Sequence, residues 1–273
     1  MLTHIARHPR SFAAVAALGS VVLTFLLIAQ PASAQTAVRY VALGDSYSAG
    51  VGAGSYFSSS AACERSPNAY PQLWDKASAP LSYASVACSN ATTTTVISSQ
   101  LSALSKSTTL VSITIGGNDV GFRSVMETCV LQSTRSCVSA VDKAEGEMTS
   151  QLPGDLNRLL ADIAARAPNA RVVLLGYPQP YDLSRSAGCI GLSSTDRTAL
   201  NTAASDLDAQ IKAAAARYGD VFADVRKAFA GHQICDASSW LHSLNFLHIG
   251  ESYHPTAAGQ AQGYEPVFSA AAG

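Results

Sequence analysis

Apolar residues fall along the chain in short continuous runs separated by polar, glycine-marked breaks. "VRYVALG", residues 38–44, is one such run, ended by Gly44. "LSYASVA" (81–87) is a second, diluted by serines, and "TLVSITIGG" (109–117) is a third, rich in β-branched residues. "ARVVLLGYP" (170–178) closes on Gly176 and Pro178, and "DVFADV" (220–225) is a short fifth. Runs without alternation suit strands buried on both faces of a parallel sheet. Between them the spacing becomes helical. Leu152, Leu156, Leu159, Leu160 and Ile163 recur before Pro168, and Leu200, Ala204, Leu207, Ile211 and Tyr218 form a stripe before Gly219. A last helix is predicted to begin at "HPTAAGQ", with Pro255 near its first turn. Strands alternating with helices predict an α/β fold, a three-layer α/β/α sandwich around a parallel sheet of about five strands.

Residues 52–68, rich in glycine and serine, and residues 121–147, which hold Cys129 and Cys137, break this pattern. Both read as insertions after strand ends, where loops of α/β sheets border the ligand crevice. No internal repeat or linker divides the chain, so residues 35–273 are expected to form one domain.

The first residues belong to a different class of segment. Arg7 and Arg10 precede the almost uncharged "SFAAVAALGSVVLTFLLIAQ", and Ala32, Ser33 and Ala34 follow. A basic start, an apolar stretch and an A-x-A site predict a secretory signal over residues 1–34, cleaved after Ala34. The competing reading is an uncleaved membrane anchor, because the run approaches spanning length. About 240 residues remain, enough for one large domain with a substantial core.

Charge changes the picture little: 18 basic and 19 acidic residues are spread without a block. No basic stripe is present, which argues against a nucleic-acid partner. All six cysteines (Cys63, Cys88, Cys129, Cys137, Cys189 and Cys235) lie beyond the signal. An even number in an exported chain predicts disulfides. Without a C-x-x-C pair, a structural zinc site is not expected. Six cysteines allow fifteen connectivities; sequential pairing is the economical one, since each bridge closes a local loop.

Three short stretches could carry chemistry. Ser46, in "ALGDSYSAG", follows the first strand and so sits at the carboxyl edge of the sheet, where open α/β folds bind ligands. The G-x-S-x-G elbow is absent, and a lone serine here is as compatible with a turn as with a nucleophile. Asn118, in "IGGND", lies just past the third strand and could donate an amide hydrogen into the same crevice; capping by Asn118 or Asp119 is the plainer reading. In "ESYHPT", His254 is fixed by Pro255, and Glu251 stands three residues earlier. His232, His242 and His248 read as surface or packing residues. A carboxylate that orients an imidazole is what a Ser–His pair needs, though a solvated loop carboxylate is an even match for Glu251.

In this order the blocks "ALGDSYSAG", "VACSNA", "IGGND" and "SYHPT" resemble the SGNH (GDSL-type) hydrolase family, in particular its secreted actinobacterial lipases and esterases. The resemblance covers nearly the whole chain after residue 34 and implies a flavodoxin-like sandwich. It implies Ser46 as nucleophile, His254 as base, and an oxyanion hole made by the Ser46 N–H, the Asn118 side chain and the N–H of Asn90. Asn90 replaces the family's usual glycine; any residue but proline keeps the donor, and asparagine tolerates left-handed angles. Many members carry Asp at the place of Glu251. Relatives with "SYH" often use a main-chain carbonyl instead, here that of Ser252. The resemblance also implies the disulfides Cys63–Cys88, Cys129–Cys137 and Cys189–Cys235.

The sequence thus predicts a secreted serine ester hydrolase working through an acyl-enzyme, with no metal or cofactor. Lipase, esterase and phospholipase activities are all compatible. The expected partner is a small-molecule or lipid ester, with transient contact at lipid interfaces, and nothing demands more than a monomer. The competing readings are an esterase that deacetylates polysaccharides and a non-catalytic binding module on the same fold.

Overall fold

The structure is a computed structural model that describes residues 37–185, 189 and 191–273. The proposed signal, residues 1–34, lies outside these. Residues 37–273 cluster as one compact unit.

Five strands form one sheet: β1 (Arg39–Gly44), β2 (Ser82–Ser85), β3 (Leu110–Thr114), β4 (Arg171–Leu175) and β5 (Val221–Ala223). Their order is β2-β1-β3-β4-β5 and every pairing is parallel. β3 is buried at every position, including its two polar residues: Ser112 bonds the Tyr40 hydroxyl (2.6 Å) and Thr114 donates to Asp45 (2.6 Å). The helices are α1 (Ser46–Ala49), α2 (Tyr70–Ser78), α3 (Thr93–Thr95), α4 (Phe122–Leu131), α5 (Thr134–Ser150), α6 (Leu152–Arg166), α7 (Ser194–Tyr218), α8 (Arg226–Phe229) and α9 (Glu265–Ala272). α2 and α9 pack together on one side of the sheet; α6 and α7 pack together on the other, with α5 against α7.

The order places a topological switch at β1 and β3. The chain leaves β1 for β2 on one side and returns to β3 on the other, opening a crevice at their carboxyl ends. Gly44 and Thr114 are partners at that edge, so the residues after them, Ser46 and Asn118, flank one crevice.

Two expectations need correction. Residues 121–147 are not an irregular insertion: they fold into α4 and most of α5, joined by the Cys129–Cys137 bridge. Their inward positions (Cys137, Val141, Ala144, Met148) have helical spacing but small or polar neighbours, so the apolar signal is weak. The final helical stretch begins at Ala257, inside "HPTAAGQ" but two residues past Pro255, and runs through a π-helical segment (Gly259–Tyr264) into α9. Thr256 Oγ1 accepts from the N–H of Gly259 (3.2 Å), capping the helix, while Pro255 stays outside it and pairs with Leu241. The remaining cysteines join as Cys63–Cys88 and Cys189–Cys235. The first of these ties the 52–68 loop to the segment before Asn90.

Candidate active site

Ser46 is the first residue of α1, a single turn pressed against the end of β1 and almost fully buried. Asp45 caps that turn: its Oδ1 accepts from the N–H of Tyr47 (3.0 Å) and from Thr114 Oγ1 (2.6 Å). Its other oxygen accepts from the Tyr177 hydroxyl. The carboxyl is buried, and burial raises it from its usual value to about 6 despite these donors. Gln100 closes the turn from below, its side chain bonding both the N–H and the C=O of Gly44 (2.8 and 2.9 Å). The nucleophile candidate is therefore fixed by buried bonds to β3, to the β4 edge and to the residue before the turn.

His254 approaches from the opposite wall. Its Nε2 lies 2.7 Å from Ser46 Oγ, and its Nδ1 lies 3.1 Å from the carbonyl oxygen of Ser252. A carbonyl only accepts, so Nδ1 carries the proton and Nε2 is left to accept from the serine hydroxyl. Desolvation lowers the imidazole to about 4, partly offset by the Ser252 carbonyl. The ring is therefore neutral, and basic at Nε2, near neutral pH.

Glu251 does not meet the imidazole side chain. Its main-chain carbonyl accepts from the His254 N–H (3.1 Å), and its carboxylate Oε1 accepts from the Tyr56 hydroxyl (2.7 Å). The Tyr56 hydroxyl also accepts from the N–H of Gly52 (2.9 Å), and Gly52 in turn receives a bond from His242 Nε2 (2.8 Å). Burial and the Glu251 partner push this phenol up to about 12. Of the two groups offered for holding His254, the geometry brings the Ser252 carbonyl to it and gives Glu251 to the neighbouring loop.

Asn118 and Asn90 line the same cleft as Ser46 and His254. Asn118 Nδ2 donates one hydrogen to the carbonyl of Ala91 (3.0 Å), leaving its second for another acceptor. Asp119 binds the N–H and hydroxyl of Thr93 (3.0 and 2.6 Å). The segment after Asn90 is thus pinned to the loop after β3. Asn90 has φ of 62°, in the left-handed region that favours glycine and that asparagine tolerates best among other residues. Among the described residues, the N–H groups of Ser46 and Asn90 make no hydrogen bond within the protein. The three residues that carry these donors line one cleft with His254.

The space beside Ser46 has two arms. One is an apolar slot of about 70 Å3 running inward from Ser46 and Asn118 between α4, α5 and α7. Ala144, Ala203 and Ala204 stand where larger side chains would fill it. The other is an open cleft of about 310 Å3, lined by Met126, Leu131, Phe246 and Ile249 and by a few polar groups, among them Glu64 and Arg123. No cluster of His, Cys, Asp and Glu fit to hold a metal occurs among the described residues.

Sequence reading passed over Tyr177, the residue that joins the two sides of the crevice. Its hydroxyl donates to Asp45, next to Ser46, and accepts from the N–H of Gly117 (3.3 Å), next to Asn118. It lies in "LLGYP", which carries no signal beyond a strand end. Asp45 did lie inside a block that carried signal, and its position before Ser46 was the available hint.

Comparison with known proteins identifies the family. The GDSL-like Lipase/Acylhydrolase family matches residues 42–262. The chain is 54% identical over 250 residues to Lipase 1 of Streptomyces coelicolor, covering 92% of each protein. It is 48% identical over 235 residues to a lipase of Streptomyces rimosus, covering 86% of this chain and 87% of that one. The crystal structure of phospholipase A1 from Streptomyces albidoflavus superposes with a TM-score of 0.84 at 51% identity, covering 86% of this chain and 100% of that chain. That of the extracellular lipase from Streptomyces rimosus does so with the same score at 47% identity and the same coverage. The chain belongs to the GDSL-like lipase/acylhydrolase family, as an ester hydrolase of the lipase and esterase kind.

Proposed function

We propose that this protein is exported and hydrolyses carboxylic esters of acyl chains through a covalent intermediate on Ser46. The observation that carries the reading is the 2.7 Å contact between Ser46 Oγ and His254 Nε2, with Nδ1 already engaged by a carbonyl. His254 Nε2 takes the hydroxyl proton as Oγ attacks the ester carbonyl. The carbonyl oxygen, now negative, is received by the N–H groups of Ser46 and Asn90 and by the Asn118 amide. His254 returns the proton to the departing alcohol, and the acyl group stays on Ser46. Water, activated by the same nitrogen, then releases the acid.

The two arms of the site suit such an ester. The apolar slot takes the acyl chain, and the wider cleft takes the alcohol portion, glyceride or phospholipid included. Phospholipase activity therefore falls within the proposed range. Export is supported by the three disulfides and by the extracellular lipase among the relatives; residues 1–34 would be the segment removed. The intact Ser46–His254 contact speaks against a non-catalytic module.

The test is hydrolysis of p-nitrophenyl esters, from acetate to palmitate, by the exported chain and by Ser46→Ala. Turnover by the first and its loss in the second, with thermal stability unchanged, supports the reading. Equal rates in both would sink it. The chain-length profile separates esterase from lipase behaviour.

A further inference from the structure

Among the described residues, the three most exposed large apolar side chains are Leu247 (89%), Phe246 (80%) and Leu131 (76%). Isolated exposed apolar residues are ordinary; their gathering at one place is not. Phe246 and Leu131 come from separate segments, a loop after residue 241 and the end of α4, yet both line the open cleft that holds Ser46 and His254. Ile249, also exposed, adds to the same rim.

The loop is built to hold this posture. Asn245 Oδ1 accepts from the N–H groups of Leu247 and His248 (3.1 and 3.2 Å), folding the tip into a turn. The N–H of Asn245 donates to Ser252 Oγ (2.9 Å), so the turn stands on the residue whose carbonyl holds His254. The apolar side chains point outward from a braced base beside the catalytic pair.

We propose that this rim is a docking surface for a lipid layer with neutral or zwitterionic headgroups, into which Leu247, Phe246 and Leu131 insert. Continuity with the cleft names the occupant: a chain bound through this rim presents its site to the layer that contains its ester. The charges nearby select the kind of layer. The charged cleft residues are Glu64, Glu127 and Arg123, with Arg123 paired to Glu127 (3.0 Å). No basic cluster is left to seek anionic lipid, so apolar insertion is the driving term. The use of the surface rests on the ester-hydrolase reading; binding to the layer does not.

The test separates the two. Flotation with phosphatidylcholine vesicles is measured for the exported chain carrying Ser46→Ala, so that the lipid is not consumed. Binding is expected to weaken roughly 10-fold or more when Leu247→Glu is added. Leu81→Glu, at a residue 59% exposed at the amino end of β2, is expected to leave it unchanged. Added phosphatidylglycerol or salt is expected to change it little. With Ser46 intact, Leu247→Glu should hydrolyse soluble p-nitrophenyl acetate at the parent rate, since Leu247 is outside the lining of both arms. Equal vesicle binding by parent and Leu247→Glu overturns the proposal, as does no binding or binding that requires the anionic lipid. Self-association lost on Leu247→Glu with vesicle binding intact assigns the rim to a second copy and also overturns it. A parent chain that binds vesicles but leaves p-nitrophenyl acetate uncut would instead defeat the ester-hydrolase reading alone.

Discussion

Ser46 and His254 face each other across one crevice but are held by different kinds of structure. Ser46 is set by the sheet: Asp45, Thr114 and Gln100 lock its turn through buried hydrogen bonds at the ends of β1 and β3. His254 is set by loops: the Ser252 carbonyl meets its Nδ1, its own carbonyl accepts from the His242 N–H (2.9 Å), and His242 and Tyr56 brace the neighbouring Gly52 through bonds that are only partly buried. Buried networks are rigid and costly to disturb, whereas loop contacts open more readily. The nucleophile half should therefore fail by unfolding, and the base half by misplacement.

Two glycines give the sharpest form of this contrast. A Cβ at Gly44 (φ +118°) would lie 2.5 Å from the carbonyl oxygen of Thr114 and 2.9 Å from Ser48 Oγ, both within the packed core. Strain and overpacking together should cost about 3–5 kcal/mol. Gly44→Ala is expected to lower Tm by roughly 10 °C or to leave the chain unfolded. A Cβ at Gly52 (φ +86°) would lie 2.7 Å from the carbonyl of Pro255 and 3.1 Å from His254 Cβ. Here the loops can yield, and what moves is the imidazole. Gly52→Ala should lose about 100-fold in kcat, the order expected for a misplacement near 1 Å, with a smaller fall in Tm. Thermal melts beside kinetics decide the matter; if both variants unfold alike, the two halves are equally rigid and the contrast is wrong.

Tyr177 tests whether the rigid half is also tuned. Tyr177→Phe removes the bond that links Asp45 to the loop of Asn118 while keeping the ring. We expect kcat per titrated serine to fall about 10-fold to 100-fold, less than or comparable to removal of an oxyanion donor, with KM for a short ester unchanged. The phenol also lowers the Asp45 pKa, so its loss moves that pKa further above about 6. A carboxyl whose folded pKa is raised takes up its proton more readily in the folded state, so folding gains stability as pH falls through that value. Once Asp45 is protonated, the missing phenol matters less. The Tm deficit of the variant should accordingly be largest near pH 8 and shrink toward pH 5. A deficit that does not vary with pH would mean that Asp45 does not feel the phenol.

The same division explains what could be read from the sequence. The strands were legible because burial on both faces writes continuous apolar runs, as in β4, where Val172 to Leu175 are all buried. The blocks holding Ser46, Asn118 and His254 sit directly after strand ends or before a helix, where local pattern and site coincide. α4 and α5 were not legible, because Ala144 and Cys137 are small where a helical stripe usually shows Leu, and the slot depends on that smallness. Tyr177 and Gln100 escaped because their partners are 132 and 56 residues away, and no local spacing encodes such a bond. Glu251 was left open against the Ser252 carbonyl, because a separation of three residues permits a contact with His254 but does not fix which way the carboxylate turns.

That last residue supplies the smallest effect and the finest division within the loop-held half. If the Ser252 carbonyl orients His254, Glu251 acts only through Tyr56, bracing the loop that carries both. Tyr56→Phe removes the donor of the 2.7 Å bond, and Glu251→Gln replaces its charged acceptor by a neutral one. Each should lower kcat only about 2-fold to 10-fold, the range of a single partly exposed hydrogen bond. The double variant should be no worse than the poorer single one, because both changes act on one contact. A loss on the order of 10⁴-fold in Glu251→Gln alone would instead place its carboxylate on the imidazole in the working enzyme. Additive losses in the double variant would mean that Tyr56 and Glu251 serve His254 by separate routes.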